Sequence, residues 1–230
     1  MVAEGAGTSP PYEGIDGSGT DIGRILSLSD GIFAFAMTLL VLNLALPAVG
    51  ARSSAGSVFD YLNHLGNQLL IYILAFMVIF GWWNVHHRIF SAIRRYDPTL
   101  LRLNTLFLLL ISIVPFTLAL VFAFGPIYFL DRGISAEVSV AMFGTIEVGT
   151  GLVLFGIWRH ATSGHLLVDP SLPPEWIGYA EQIVLIRVVV FGISVGLAFA
   201  LPVVGELVWA GAILQRRYRR SPPRVAPGAL

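Results

Sequence analysis

Residues 24–46 read RILSLSDGIFAFAMTLLVLNLAL. The stretch is almost continuously apolar, yet it opens with an arginine, two serines and an aspartate and carries a threonine in its middle. It is long enough to cross a bilayer, which takes about 20 residues of helix. At an advance of about 100° per residue, Arg24, Leu28, Gly31, Phe35, Thr38 and Leu42 fall on one face within about 80° of arc. Ser29 and Asp30 point to the other side. A membrane helix with polar groups on two faces is more than an anchor, and the rest of the chain reads as a scaffold for it.

Composition sets the class. Of the 230 residues, 56% are hydrophobic and 12% charged, against about 25% charged in a soluble domain. Mean hydropathy is +0.78. Several apolar runs reach the length of a membrane span. The fold class is therefore all-α, a polytopic integral membrane protein. A net charge of +0 gives nucleic-acid binding no electrostatic support. The absence of cysteine excludes disulfides, thiolate metal sites and cysteine nucleophiles. No GxSxG, P-loop or GxGxxG pattern occurs, so neither an enzyme nor a cofactor is read.

Six spans are predicted, at about 24–46, 66–90, 99–124, 138–160, 177–201 and 203–217. A Gly/Ser-rich link separates the first two. Tyr96-Asp97-Pro98 makes a turn, since the residue before proline is pushed out of the helical region. Residues 1–21 and 218–230 read as disordered tails flanking a domain over 22–217. Of the arginines, eleven fall on one side of this arrangement and two, Arg52 and Arg132, on the other. The positive-inside rule then puts both termini in the cytoplasm.

Within the spans, few residues carry chemistry. Phe35, Thr38 and Leu42 form either a helix-packing seam or the wall of a narrow pore lined by copies of this helix. Apolar rings gate by dewetting, and a hydroxyl ring replaces part of an ion's hydration. A carboxylate inside a span is costly unless paired. Candidate partners for Asp30 are Arg24, His86 or His87, and Asn104, all near one end of the first three spans. That group reads as a buried clasp or as a proton- or ion-sensing switch. Adjacent His86 and His87 point about 100° apart and cannot share a metal from one turn; no metal site is read. Glu147 and Arg187 are intramembrane charges whose pairing stays open. Glu206 is placed near the outer mouth of the sixth span. Gly192-x-x-x-Gly196 offers a small-residue contact face, and Trp82, Trp83 and Trp209 read as interface anchors or packing.

The pattern Arg24-x-x-x-Leu28-Ser29-Asp30, followed by residues 31–38 (GIFAFAMT), resembles the first helix of the transmembrane protein 175 family, the lysosomal potassium-leak channels and their shorter bacterial relatives. The resemblance continues at residues 82–90 (WWNVHHRIF) and 103–116 (LNTLFLLLISIVPF) and covers about 22–217. This chain has Leu28 where the family has phenylalanine, and Phe35 where it has isoleucine or leucine. The resemblance implies a homotetramer in the plasma membrane of a prokaryote, with a potassium-selective, leak-type pore lined by the first helix. It implies a constriction at Phe35, a contribution of Thr38 to potassium preference, and contacts of Arg24, Ser29 and Asp30 with the histidine and asparagine of the neighbouring helices, which favours the clasp. Potassium would be a transient occupant. No TVGYG segment occurs, so selectivity would rest on side chains. Longer members carry two six-helix repeats; no repeat is found here, so a central pore needs several copies. Rival readings are a proton or weakly selective cation channel, a secondary transporter, and a non-conducting scaffold.

Overall fold

The structure, a computed structural model, describes residues 19–44, 55–124 and 134–209. It comprises α1 (Gly23–Leu39), α2 (Ala55–Ala92), α3 (Pro98–Phe124), α4 (Ile134–Thr162), α5 (Pro174–Ala198) and α6 (Pro202–Leu207). Short 3₁₀ turns prolong α1 over Leu40–Asn43 and α4 over Ser163–His165. Among the described residues, five helices are long and apolar enough to cross a membrane. The expected sixth span starts with Pro202, whose missing N–H costs nothing in a first helical turn. Its helical run closes at Leu207, and 210–217 lie outside the described residues, as do the expected tails apart from 19–21. α2 begins at Ala55, inside the stretch read as a link. α3 continues through Pro115, which forfeits one ladder hydrogen bond without ending the helix.

The core sits around α4, which packs along α3 on one side and α5 on the other. Phe107, Ile111, Phe143, Leu154 and Phe191 are buried there. Lipid is as apolar as these side chains, so close packing rather than hydrophobic transfer joins the helices. A Cβ at Gly151 would fall 2.5 Å from Val188 and 3.1 Å from Trp82; one at Gly144 would fall 2.7 Å from Val195. These glycines bring α4 against α5. The Gly192 and Gly196 face does not: both are exposed, and a Cβ at either meets nothing within 4 Å. The spacing alone does not tell an inward from an outward stripe.

One end of the bundle is tied together by backbone and side-chain contacts. Gly19 and Tyr96 exchange backbone hydrogen bonds of 3.1 and 2.9 Å, and Leu167 O accepts from Arg94 N at 2.8 Å. Asp97 accepts from the Leu100 N–H at 2.7 Å and meets His160 Nε2 at 2.8 Å. Partial burial pushes the Asp97 carboxyl up, but the hydrogen bonds from Leu100, His160 and Thr99 outweigh it and hold it below the usual carboxylate range. The start of α1, the α2–α3 turn and the end of α4 therefore share one end. Arg24, Arg94, Arg95 and Arg159 are exposed there.

Candidate functional site

α1 packs chiefly against α3 and α2, and it uses only one side to do so. Ser29, Phe33, Ala36 and Leu40, spaced four, three and four residues apart, are buried. The other side is bare in the protomer. Arg24, Leu28, Gly31, Phe35, Thr38 and Leu42 are all exposed. Leu28, Phe35 and Leu42 show 61%, 64% and 76% of their surface. A groove of 440 Å³ runs beside this face, lined by Leu28, Gly31 and Phe35 from α1 and by Thr105, Leu109 and Ser112 from α3.

Thr38 has a defined orientation. Its Oγ1–H donates to the Phe35 carbonyl at 2.8 Å. A hydroxyl has one hydrogen and two acceptor lone pairs. With the hydrogen engaged by its own helix, the lone pairs remain to accept from water or to face a cation.

The polar residues behind α1 divide into two groups. Ser29 Oγ donates to the Ile25 carbonyl at 2.8 Å and accepts from Asn104 Nδ2 at 3.3 Å. Asn104 Oδ1 meets His86 Nε2 at 3.0 Å. Donors follow one direction through this chain: with the Asn104 amide donating to Ser29, its oxygen takes the His86 Nε2–H, which fixes the tautomer by inference from the network. Ser29, Asn104 and His86 are all buried. The imidazole is held between aromatic rings, with centroids 4.1 Å from Phe90 and 5.2 Å from Phe107, and Phe33 of α1 lies 5.7 Å away. One serine thus ties α1 to α3 and, through Asn104, to α2.

Asp30 belongs to the second group. It is exposed and accepts from the Trp83 indole N–H at 2.8 Å. Trp83 stacks on His87, centroids 5.4 Å apart. The expected direct partnership of Asp30 with Arg24, a histidine or Asn104 is corrected: its hydrogen-bond partner is Trp83, His87 stacks on that ring, and the Asp30 charge acts on His86 without a hydrogen bond. Among the described residues, no hydrogen bond or ion pair joins Arg24 to this group.

Of the two roles open to the tryptophans, interface anchor or packing, Trp82 and Trp209 take the second: both are fully buried. The Trp82 indole N–H donates to Glu147 Oε2, and the Arg187 guanidinium lies 4.9 Å from the centre of the Trp82 ring. Glu147 and Arg187 thus share one indole, the carboxylate at its N–H edge and the guanidinium over its face. Trp209 Nε1 donates to Ser194 Oγ at 2.8 Å. Glu206 is buried. A usable signal was present: Trp82 and Trp83 point about 100° apart, the predicted spans hold carboxylates, Asp30 and Glu147 among them, and a buried indole N–H requires an acceptor.

The chain's relatives agree with this architecture. Residues 24–115 match the model of the endosomal/lysosomal potassium channel TMEM175 family. A potassium channel of Streptomyces collinus is 30% identical over 182 residues, covering 77% of this chain and 82% of that protein. A potassium channel of Chamaesiphon minutus is 33% identical over 149 residues, covering 65% and 70%. The mouse endosomal/lysosomal proton channel TMEM175 is 26% identical over 106 residues, 20% of its length. In three dimensions, the crystal structure of a lysosomal potassium-selective channel TMEM175 homolog from Chamaesiphon minutus superposes with a TM-score of 0.72 at 26% identity, covering 86% of this chain and 99% of that one. These relatives are ion channels, not enzymes, and the family match takes in α1, α2 and most of α3: the chain belongs to the TMEM175 family.

Proposed function

We propose that the protein is a potassium-selective leak channel, a homotetramer in a prokaryotic plasma membrane with both termini cytoplasmic and the α1 helices around the axis. The observation that carries this is the one-sided burial of α1. Its inner face is anchored by Ser29, Phe33 and Ala36, while all six residues of its other face are exposed. That face is not uniformly apolar: Gly31 and Thr38 lie among its apolar residues, and Arg24 stands at its start. Four copies around an axis would give rings of Gly31, Phe35, Thr38 and Leu42. The Phe35 ring is the constriction, since an apolar neck of that size expels water. The Thr38 ring presents hydroxyl oxygens to a transient potassium ion. Ser29, Asn104 and His86, with Asp30 on Trp83, hold the helix at the angle that sets the neck. The domain carrying this runs over 22–217.

The test is ion flux from liposomes holding the purified protein, with reversal potentials in potassium, sodium and proton gradients. A reversal potential that follows the potassium gradient is expected. The vertebrate relatives are named as proton channels, so a potential that follows the proton gradient would shift the reading to a proton path. Absence of flux from an assembled preparation would replace both with a scaffold.

A further inference from the structure

A second cavity lies away from α1. It has a volume of 210 Å³ and opens between the last turn of α2 and the first turns of α5. Ile89, Leu172 and Ile183 give it apolar walls, and Trp176 and Tyr179 form one side as an edge-on aromatic pair. Arg88 and Arg94 stand at its rim, both exposed. The Trp176 indole N–H and the Tyr179 hydroxyl are shielded from solvent and have no hydrogen-bond partner among the described residues. Buried donors are ordinarily satisfied; these two belong to residues that line one cavity, where a small turn of either ring would bring them to an acceptor.

We propose that this cavity is a site for a lipid with an anionic phosphate headgroup, its phosphate between Arg88, Arg94, Trp176 and Tyr179 and an acyl chain along the apolar wall. Charge complementarity selects the occupant. The lining carries two guanidinium groups against one carboxylate, Asp169, which lies 3.8 Å from Arg94 and also accepts from Ser171. A phosphate oxygen can take the arginine donors that this loose pair leaves open, and arginine suits phosphate because its donors form a planar fork. Depth agrees: the cavity lies at the arginine-rich end, beside tryptophan and tyrosine, the level at which aromatic side chains meet headgroups. Basic pockets between membrane helices at such a level bind anionic headgroups. The otherwise apolar lining favours a lipid over a soluble phosphate. This inference does not depend on which ion the α1 face conducts.

Native mass spectrometry on the delipidated full-length protein tests it, with dioleoyl phosphatidylglycerol, dioleoyl phosphatidylcholine and glycerol 3-phosphate as probes. Phosphatidylglycerol should bind in preference to phosphatidylcholine, and glycerol 3-phosphate should not displace it. Arg88→Gln and Arg94→Gln should each weaken phosphatidylglycerol about fivefold. Trp176→Phe with Tyr179→Phe keeps both rings, removes both donors, and should also weaken it, which covers the case in which an arginine variant does not fold. Equal binding of the two lipids, or wild-type retention by the folded variants, overturns the proposal. Displacement by glycerol 3-phosphate at equal concentration overturns the lipid in favour of a soluble phosphate.

Discussion

α1 and α5 bury similar shares of their apolar windows, 22% and 28%, against 50% for α3. Both therefore leave most of their surface outside the protomer, but the surfaces differ. α5 exposes Leu185, Ile186, Val189 and Ile193 in its middle turns, a surface that lipid accepts without cost. α1 exposes Phe35 and Leu42 together with Gly31, Thr38 and, nearer its start, Ser27 and Asp30. Burial alone thus does not separate a lipid-facing helix from one that faces an axis. The chemistry of the exposed side does. Anchoring does not separate them either: α1 is fixed to its neighbours by a buried serine and an exposed aspartate, and α5, seated on glycines of α4, is also tied to that helix by Trp158 at the Ile177 carbonyl and by Arg159 at Glu181.

The largest effect should come from placing the same charge on both surfaces. Val189→Arg puts a guanidinium near the middle of the lipid face of α5, at a cost of about 2.5–3.5 kcal/mol for insertion. Leu42→Arg puts it at the end of the α1 face, where water reaches it. Membrane yield and size-exclusion profile should collapse for Val189→Arg and survive for Leu42→Arg, whose cation flux should fall by repulsion. Equal loss of protein from both would end the distinction between the two faces.

The anchor comes next. Asn104→Leu keeps the volume of the side chain but leaves Ser29 Oγ without its donor and His86 Nε2 without its acceptor, in a pocket closed to water. Stranding a buried polar group costs about 1–3 kcal/mol. The assembled protein should melt earlier and dissociate more readily, measured by fluorescence-detected size exclusion after heating. An unchanged melting profile would mean that packing by Phe33 and Ala36 holds α1 unaided.

The difference between the two polar groups also shows what was readable in advance. The six-residue face of α1 follows from helical period alone, and its exposure follows from nothing but that period and the absence of a protomer partner. His86 and Asn104 were legible as candidate partners of the polar start of α1, because each is a polar residue in an apolar run near one end of the first three spans; the part of Ser29 came only from the family resemblance. The hydrogen-bond partner of Asp30, Trp83, was not foreseen. A carboxylate in a span suggests a cation, and its acceptor role toward a neutral indole has no charge signature in a sequence. Its exposure also makes it a weaker anchor than a buried pair would be. The inward burial of Trp82 and the outward stripe of Gly192 and Gly196 depend on helix rotation, which a low contrast between faces leaves undetermined on α2 and α5. Span ends drifted for a related reason: α2 starts at Ala55 because Gly and Ser in a link do not by themselves stop a helix.

Phe35 is the next test of the exposed face. A phenyl ring facing an axis packs against no core, whereas truncating a packed phenylalanine costs about 3–5 kcal/mol. Phe35→Ala should therefore leave the size-exclusion peak in place and raise potassium flux from liposomes. The groove beside Phe35 offers the competing role, in which the ring packs against a neighbouring copy. In that case the oligomer weakens and flux falls with it. An intact oligomer with unchanged or lower flux removes Phe35 from the constriction.

Thr38 should give the smallest change in stability and the narrowest change in function. Its hydroxyl hydrogen is held by the Phe35 carbonyl at 2.8 Å, a bond that a helix does not need, since that carbonyl already serves the backbone ladder. Thr38→Val keeps the branched shape and removes only the oxygen. The oligomer should be unaffected within a few tenths of a kcal/mol, as for other exposed positions. The lost oxygens, however, are those that would replace part of the hydration of a passing ion. Reversal potentials in opposed potassium and sodium gradients should move toward zero for Thr38→Val and stay at the wild-type value for Thr38→Ser, which restores the hydroxyl on a smaller side chain. A wild-type potential in Thr38→Val would take the threonine ring out of ion discrimination. It would leave Thr38 as a residue whose hydroxyl only turns back onto its own helix, and α1 would then resemble α5 more closely than its exposed chemistry implies.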